Sequence, residues 1–188
     1  QWVASQVWSQ PHNGPRVQVS TRDKQAISQT LINAWRRQTE TVHFGEHTGY
    51  VLDLNAWPVD CLPELSADFS HISALHLSHS PSGKFPALFL QKFANLRVLS
   101  LKNNRLSELP VEMAGMSELI DLNLQGNQIV LNGRSAAVLS GLTKLKSLNL
   151  TGNVLGRRIS LRRMAALEHL HLRYTGLLTW PEGVESLS

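Results

Sequence analysis

The sequence predicts an α/β fold: a right-handed parallel solenoid of about six coils, preceded by a helical cap. Three observations predict this fold. A pattern of leucines recurs along the chain, its spacing fits neither a helix nor a continuous strand, and an amphipathic segment precedes the first copy. Because one copy is too small to bury its own apolar side, stacked copies must share a single core.

The repeated unit is clearest in LRVLSLKNNRLSELP, residues 96–110, where strict alternation holds only from Leu99 to Leu101. This alternation predicts a very short strand with both leucines in the core and with Ser100 and Lys102 facing solvent. Subtracting the residue numbers of the central leucines gives periods of 23, 24, 23, 26 and 22 residues. These central leucines are Leu52, Leu75, Leu99, Leu122, Leu148 and Leu170. The pattern, LxxLxLxxNxL, is identified as the leucine-rich repeat.

The asparagine of the pattern is present in three middle copies, as Asn104, Asn127 and Asn153. A side-chain amide can pair with turn backbone groups that would otherwise be buried without partners, so we predict a structural ladder from coil to coil. The other copies carry Trp57, Ser80 and Thr175 in this slot. The ladder is therefore expected to be regular in the middle and irregular at both ends.

Three segments are expected along the chain: an irregular stretch at 1–19, a helical cap at 20–45 and the repeats at 46–188. Ser20 or Thr21 can cap the helix, and Asp23 suits its first turn. An apolar stripe at helical spacing would cover the core of the first coil. Its members are Ala26, Ile27, Leu31, Ala34 and Trp35. Because the chain begins with Gln1 and stops within a return segment, it is expected to be part of a longer protein.

Charge, apolar runs and cysteine content limit the possible functions. The net charge is +4, and four arginines share one return segment. They are Arg157, Arg158, Arg162 and Arg163. We interpret this segment as a solvated face, with an anionic partner as the alternative. Nucleic-acid binding has no aromatic or glycine-rich support in the sequence. No apolar run approaches the roughly 20 residues that span a bilayer, and no secretory signal is visible. Cys61 is the only cysteine; it excludes an intrachain disulfide and is interpreted as a buried structural thiol.

The strand positions that do not face the core predict a concave surface of polar side chains, about 4.8 Å apart from strand to strand. One row holds Asp53, His76, Ser100, Asn123, Asn149 and His171. A second row holds Asn55, Ser78, Lys102, Gln125, Thr151 and Arg173. The predicted partner-binding residues are Asp53, His76, Lys102, Asn123, Gln125, Asn149, His171, Arg173 and Tyr174. No catalytic residue, cofactor site or metal site is predicted.

Two catalytic or metal interpretations of this surface are weaker. Asp53, His76 and Ser100 imitate an Asp-His-Ser triad in order and reach, but the sequence offers no oxyanion hole or substrate pocket. Two histidine pairs invite a metal interpretation, but each lacks a third ligand at a convincing spacing. These pairs are His76 with His79 and His169 with His171. A polar binding surface explains both groups more simply.

The last strand carries a dense cluster of side chains, namely Glu168, His169, His171, Arg173 and Tyr174. A planar cation and an aromatic ring are among the side-chain types that dominate binding at protein interfaces. We therefore expect a partner to contact Arg173 and Tyr174, with binding that weakens as the salt concentration rises.

The repeats carry two LP extensions, SELP at 107–110 and LTWP at 178–181, and resemble bacterial leucine-rich repeats. More specifically, the chain resembles the repeat region of large bacterial proteins that end in a novel E3 ubiquitin ligase (NEL) domain. This resemblance lies in AWRRQTE at 34–40, VLDLNAWPVDCLPEL at 51–65 and NQIVL at 127–131. It implies a protein that is secreted or delivered into a host cell, with repeats that recognise a host protein and restrain the ligase domain. The ligase cysteine of that family precedes an aspartate by two residues; Leu62 and Pro63 follow Cys61, so no catalytic role transfers.

The leading hypothesis is a non-catalytic protein-recognition module that uses its concave face and acts as a monomer. An alternative is the substrate-selecting and autoinhibitory region of a ligase domain that is absent from these residues. A third hypothesis makes the repeats a spacer or a self-association surface. A search for a downstream CxD motif would separate the second hypothesis from the others.

Overall fold

The computed structural model describes residues 8–9, 17–55, 57, 62–79, 87–156 and 160–186. In chain order its helices and strands are β1 (Trp8–Ser9), β2 (Val17–Gln18), α1 (Thr21–Trp35), β3 (Thr41–Phe44), β4 (His47–Asp53), β5 (Ile72–His76), α2 (Ala87–Leu90), β6 (Val98–Ser100), β7 (Asp121–Asn123), α3 (Gly133–Gly141), β8 (Ser147–Asn149) and β9 (His169–His171). Short 3-10 helices lie at Val111–Gly115 and Val184–Ser186. Strands β4 to β9 form a parallel sheet, one strand for each expected coil. The predicted α/β leucine-rich-repeat solenoid is therefore confirmed.

The register between neighbouring strands follows the repeat pattern. Leu75 pairs with Leu99, Leu99 with Leu122, and Leu122 with Leu148. All four of these leucines are fully buried, whereas Leu170 on β9 is partly buried, because no described coil covers its other side. Stacking thus converts six short apolar motifs into one continuous core.

Short helices lie in the return segments that follow β5, β6 and β7, and the longest coil contains the longest of them. The 26-residue step from Leu122 to Leu148 accommodates α3. The side chain of Asn132 caps α3 by accepting a hydrogen bond from the Ser135 backbone N–H at 2.9 Å. The Ser135 hydroxyl accepts in turn from the Leu109 N–H at 3.2 Å, which fastens α3 to the preceding coil.

Helix α1 covers the first coil as expected of a cap. Ser20, rather than Thr21, is its N-cap, since the Ser20 hydroxyl accepts from the Asp23 N–H at 3.0 Å. Three of the predicted stripe residues are buried, namely Ile27, Leu31 and Ala34, and Ala26 is half-buried. The prediction is wrong for Trp35, whose surface is 51% exposed, because it lies at the end of the helix beyond the covered strand.

The end of the predicted helical cap at 20–45 is also wrong, because α1 ends at Trp35 and β3 follows it. Strand β3 pairs antiparallel with β4, with Phe44 opposite His47. The two-residue loop between them begins with Gly45 at φ 64°, a left-handed conformation that glycine adopts without steric cost. The 1–19 stretch is not wholly irregular, since β1 and β2 pair antiparallel.

The asparagine slot forms a ladder of buried hydrogen bonds. Asn127 donates through Nδ2 to the carbonyls of Leu101 and Leu124 at 2.9 and 2.8 Å. Its Oδ1 accepts from the N–H groups of Asn104 and Leu106, both at 3.0 Å. Without the Asn127 side chain, these buried backbone groups of two coils would lack this hydrogen-bond partner. The side chain therefore takes the place that water would have at an exposed backbone.

The same pattern continues on both sides of Asn127. Asn104 donates to the Leu77 carbonyl, and Asn153 donates to the Leu124 and Leu150 carbonyls at 2.9 Å each. In the last coil Thr175 makes a shorter-range bond, from its hydroxyl to the Leu172 carbonyl at 2.8 Å.

Four residues that the sequence singled out lie outside the described residues: Cys61, Ser80, Arg157 and Arg158. Within the described part of the chain, no helix is long and apolar enough to cross a membrane.

Candidate functional site

The concave face is built by three rows of side chains that run across the sheet. Strand pairing places one row in register: Asp53, His76, Ser100, Asn123, Asn149 and His171. A neighbouring row, two residues earlier, consists of Val51, Ala74, Val98, Asp121, Ser147 and His169. The sequence predicted the first row correctly because core leucines fix the register, and a shift by one residue would expose all of them.

The third row, which follows the strands, is held by further backbone pairing between coils. The Asn103 N–H donates to the Gln125 carbonyl at 2.9 Å, and the Gly152 N–H donates to the Arg173 carbonyl at 2.9 Å. The predicted residues Lys102 and Gln125 therefore lie on successive coils, and Arg173 lies two coils after Gln125. Ser78 of the same row is 5% exposed and contributes little surface. Gln125 and Lys102 are half-buried, and Arg173 is exposed.

Some predicted contact residues also shape the chain where the strands end. Oδ1 of Asn123 accepts from the Gln125 N–H, and Oδ1 of Asn149 accepts from the Thr151 N–H, both at 3.0 Å. Asp53 makes the same turn with the Asn55 N–H at 2.8 Å. These bonds fix the side-chain direction before any partner arrives, which lowers the entropy that binding would cost.

The same turns explain why the catalytic triad interpretation fails geometrically. Asp53 uses Oδ1 for its own turn, and no hydrogen bond joins it to His76 or joins His76 to Ser100 in the described part of the chain. A triad requires its base to be bonded to the nucleophile and to be oriented by the carboxylate. Among the described residues there is likewise no group of three or more His, Cys, Asp or Glu side chains that could hold a metal ion.

Asp121 is the acidic residue at the centre of the face, although it was not among the predicted binding residues. Burial raises the pKa of Asp121, because the half-buried carboxylate loses water. A hydrogen bond with Ser147 acts in the opposite direction, as do the nearby rings of His171, His76 and His169. A partner that offers a cation or an N–H group here would replace the lost solvation. Its position one residue before the core leucine of β7 is the sequence signal for this residue.

At the C-terminal end, the predicted cluster separates into two groups. The carboxylate of Glu168 accepts a hydrogen bond from Lys146 Nζ at 2.7 Å, and this contact lowers the pKa of Glu168. Glu168 is therefore already paired with a cation of the neighbouring coil. His169, His171, Arg173 and Tyr174 remain exposed. The available cluster on this strand is therefore two imidazoles, a guanidinium and a phenol.

Tyr174 has an unusual backbone conformation in this cluster. Its φ is 57°, in the left-handed region, and its surface is 89% exposed. The equivalent positions of the four preceding coils are His79, Asn103, Gly126 and Gly152, which also have positive φ; three of them are asparagine or glycine, the residues that tolerate it best. For a tyrosine this conformation costs about 1–2 kcal/mol, and the fold gains no burial from the ring.

A match to a protein-family model agrees with this architecture. The family model described as "Leucine rich repeat" matches residues 70–129. The chain is 28% identical over 141 residues to an adenylate cyclase of Schizosaccharomyces pombe (strain 972 / ATCC 24843), covering 73% of this chain and 8% of that protein. It is also similar to the structure of a leucine-rich-repeat protein of Leptospira interrogans, with 21% identity and a TM-score of 0.47, covering 84% of this chain and 50% of that one.

The chain thus spans 8% of the length of the Schizosaccharomyces pombe protein and half of the Leptospira interrogans structure. Leucine-rich repeats generally serve protein–protein interaction through their extended concave surface and are typically not catalytic. The resemblance to NEL-type proteins stays a prediction from the sequence.

Proposed function

We propose that this chain is a protein-recognition module whose concave face binds a partner protein through its C-terminal half. The observation that carries the proposal is Tyr174, an aromatic residue that is 89% exposed and held at φ 57° where the three coils immediately before it use asparagine or glycine. A conformational cost without a packing gain is explained when the side chain is needed for binding. Aromatic and arginine side chains are also the types that most often dominate interface energies.

The rest of the face supplies the surroundings that such an anchor needs. Arg173 lies beside Tyr174 in sequence, and His171 lies on the adjoining strand. Asn123 and Asn149 extend the face toward Asp121 with side chains already fixed by turns. We expect Arg173 and Tyr174 to form the centre of the interface and the asparagine row to add specificity.

Tyr174→Gly tests this role, because binding and stability should change in opposite directions. Glycine relieves the left-handed backbone, so the free energy of unfolding should stay equal or rise by about 1 kcal/mol. Partner affinity should fall at least tenfold, about 1.4 kcal/mol. The measurements are urea unfolding and titration of a partner isolated by affinity capture with the wild-type chain. A residue that served only the fold would lose stability and keep its affinity.

The double variant Arg173→Ala/Tyr174→Ala should also lose at least tenfold in affinity. The matched control is Arg134→Ala on α3, where an exposed guanidinium pairs with Glu108 at 3.5 Å on the return side. If the double variant captures the same partner as strongly as wild type while Arg134→Ala abolishes capture, the concave proposal is wrong.

The finer parts of the proposal concern the partner and the whole protein. The sequence resemblance to NEL-type proteins supports a host protein as partner and a protein that is secreted or delivered into a host cell. It equally supports the second function, in which these repeats select substrates for a ligase domain and restrain it. Adding the purified repeats to that domain should inhibit ubiquitin transfer if they restrain it, and light scattering of the repeats should give the mass of a monomer.

A further inference from the structure

A cavity lies away from Tyr174, at the edge of the sheet where β4 to β6 begin. Its volume is about 480 Å³, within the range of small-molecule sites. Its walls come from the end of the cap, the β3–β4 hairpin and the first coils, and they include Arg37, His47, His71 and Arg97. Every lining side chain is polar, charged or aromatic, so a purely apolar ligand finds no matching wall.

Two guanidinium groups give the cavity its charge. Arg37 Cζ lies 5.9 Å from the centroid of the Tyr50 ring, and Arg97 Cζ lies 5.6 Å from that of Phe44. Contact with a ring face holds each guanidinium while leaving its in-plane N–H donors available. In the described part of the chain, neither arginine forms an ion pair with a carboxylate.

The acidic groups nearby are already engaged. Glu118, the one carboxylate among the described lining residues, accepts from Lys144 Nζ at 2.6 Å. Asp68, whose charge reaches Arg37 and His71, accepts from the Ser70 N–H at 2.8 Å and from the Ser70 hydroxyl at 3.0 Å. The charge of Asp68 acts on Arg37 and that of Glu118 acts on Arg97, yet in the described part of the chain neither carboxylate forms an ion pair with these guanidiniums.

Two imidazole rings of the cavity are held in place by the fold. His71 Nε2 lies 2.8 Å from the Ala34 carbonyl, which can only accept, so Nε2 carries the hydrogen and the ring is fixed. The Tyr50 ring packs edge-on to the His71 ring, with centroids 5.6 Å apart. His47 Nε2 lies 3.3 Å from the Ser73 hydroxyl on the opposite wall.

The backbone around the cavity is adapted to this arrangement. The register between β4 and β5 shifts between Tyr50 and Val51, and such bulges redirect side chains. Gly49 is buried, and a Cβ at this position would overlap the Ser73 side chain. Arg37 follows α1 at φ 60°, where the chain turns back toward the hairpin. Three local departures from regular structure thus meet at one cavity.

We propose that this cavity binds the phosphate group of a small organic phosphate. Each guanidinium can match the oxygen atoms of phosphate with two parallel hydrogen bonds, and hydroxyl groups of the lining add further donors. The volume exceeds what a bare phosphate needs, and the Tyr50 and His71 rings can contact an aromatic body attached to it. This site is separate from the concave anchor and functions independently of the protein partner.

Calorimetric titration with phenyl phosphate tests the proposal, since this probe carries a dianion and one ring. Benzoate, which carries a carboxylate on the same ring, tests whether a different anion binds equally well. Benzyl alcohol is the neutral probe. We expect phenyl phosphate to bind wild type at least tenfold more tightly than benzoate and benzyl alcohol not to bind. Equal affinity for phenyl phosphate and benzoate, or no binding of phenyl phosphate at millimolar concentration, would overturn the assignment.

Variants locate the site on the chain. Arg37→Gln and Arg97→Gln keep much of the side-chain length and should each weaken phenyl phosphate binding at least tenfold. Arg134→Ala is the matched control and should bind as wild type, because its guanidinium lies on α3. Arg97→Lys keeps the charge but loses the planar fork, so an intermediate affinity is expected. If both glutamine variants bind like wild type and retain the wild-type circular dichroism spectrum, the cavity is not the phosphate site.

Discussion

Replacing Asn127 by alanine should reveal how much of the fold depends on the asparagine ladder. The side chain is 4% exposed and makes four hydrogen bonds, all to backbone groups of two coils. The Leu124 carbonyl keeps a second donor, Asn153 Nδ2 at 2.9 Å. The Leu101 carbonyl and the N–H groups of Asn104 and Leu106 lose this side-chain partner. At about 1–3 kcal/mol for each of these three buried groups, the expected loss is at least about 3 kcal/mol.

Asn123→Ala is the matched control on the same coil. Asn123 is half-buried on the concave face and accepts one bond, from the Gln125 N–H at 3.0 Å. Water can reach this N–H after truncation, so the expected loss is about 0.5–1 kcal/mol. Urea unfolding followed by both tryptophan fluorescence and far-ultraviolet circular dichroism gives the two values, provided that the transitions coincide. Equal losses for the two variants would refute the reasoning, because burial and the number of bonds would then have no effect.

Three further predictions concern the core, the sheet edge and the central acid. Leu122→Ala should cost about 2–5 kcal/mol in urea unfolding by opening a cavity in the core, while Leu178→Ala, at a residue 97% exposed, should change stability by less than about 0.5 kcal/mol. Gly49→Ala should lower the free energy of unfolding by about 1–3 kcal/mol, because the added Cβ overlaps the Ser73 side chain. Adding Ser73→Gly to this variant should restore part of the loss. An unchanged stability of Gly49→Ala would contradict the close approach of Ser73 to Gly49. Because the pKa of Asp121 is raised in the folded state, the folded state binds its proton more tightly than the unfolded state does, and this contribution to stability falls as pH rises above 3.8. The stability of Asp121→Asn relative to wild type should therefore increase with pH over that range, and a difference independent of pH would show that the carboxylate is normally solvated.

The concave face was predictable to a large extent because it repeats. Once the leucines place Leu99 and Leu122 side by side, the residues next to them must also be neighbours, so Ser100 and Asn123 followed directly. The asparagine ladder followed for the same reason, since one offset from the core leucine recurs in three coils. The predicted binding role of this face is a proposal that the partner experiments above test.

Some features of the face did not follow from the repeat. Tyr174 was named for its ring, and only the structure shows that this residue is 89% exposed. Glu168 was placed in the exposed cluster, but Lys146 of the neighbouring coil engages it at 2.7 Å. Neither fact is visible in a one-dimensional pattern, because both depend on the detailed path of one coil against the next.

The sequence by itself determined the number of coils, the register of their strands and the identity of the ladder residues. The physical reason is that a periodic core requires the same residue type at the same offset in each coil, so sequence distance translates into position in space. Only the tertiary structure decided the β3–β4 hairpin, the exposure of Trp35 and the cavity that contains Arg37 and Arg97. These features arise where the non-periodic cap meets the first coils, and there the packing of one helix and one hairpin, rather than a repeated spacing, decides which distant residues become neighbours.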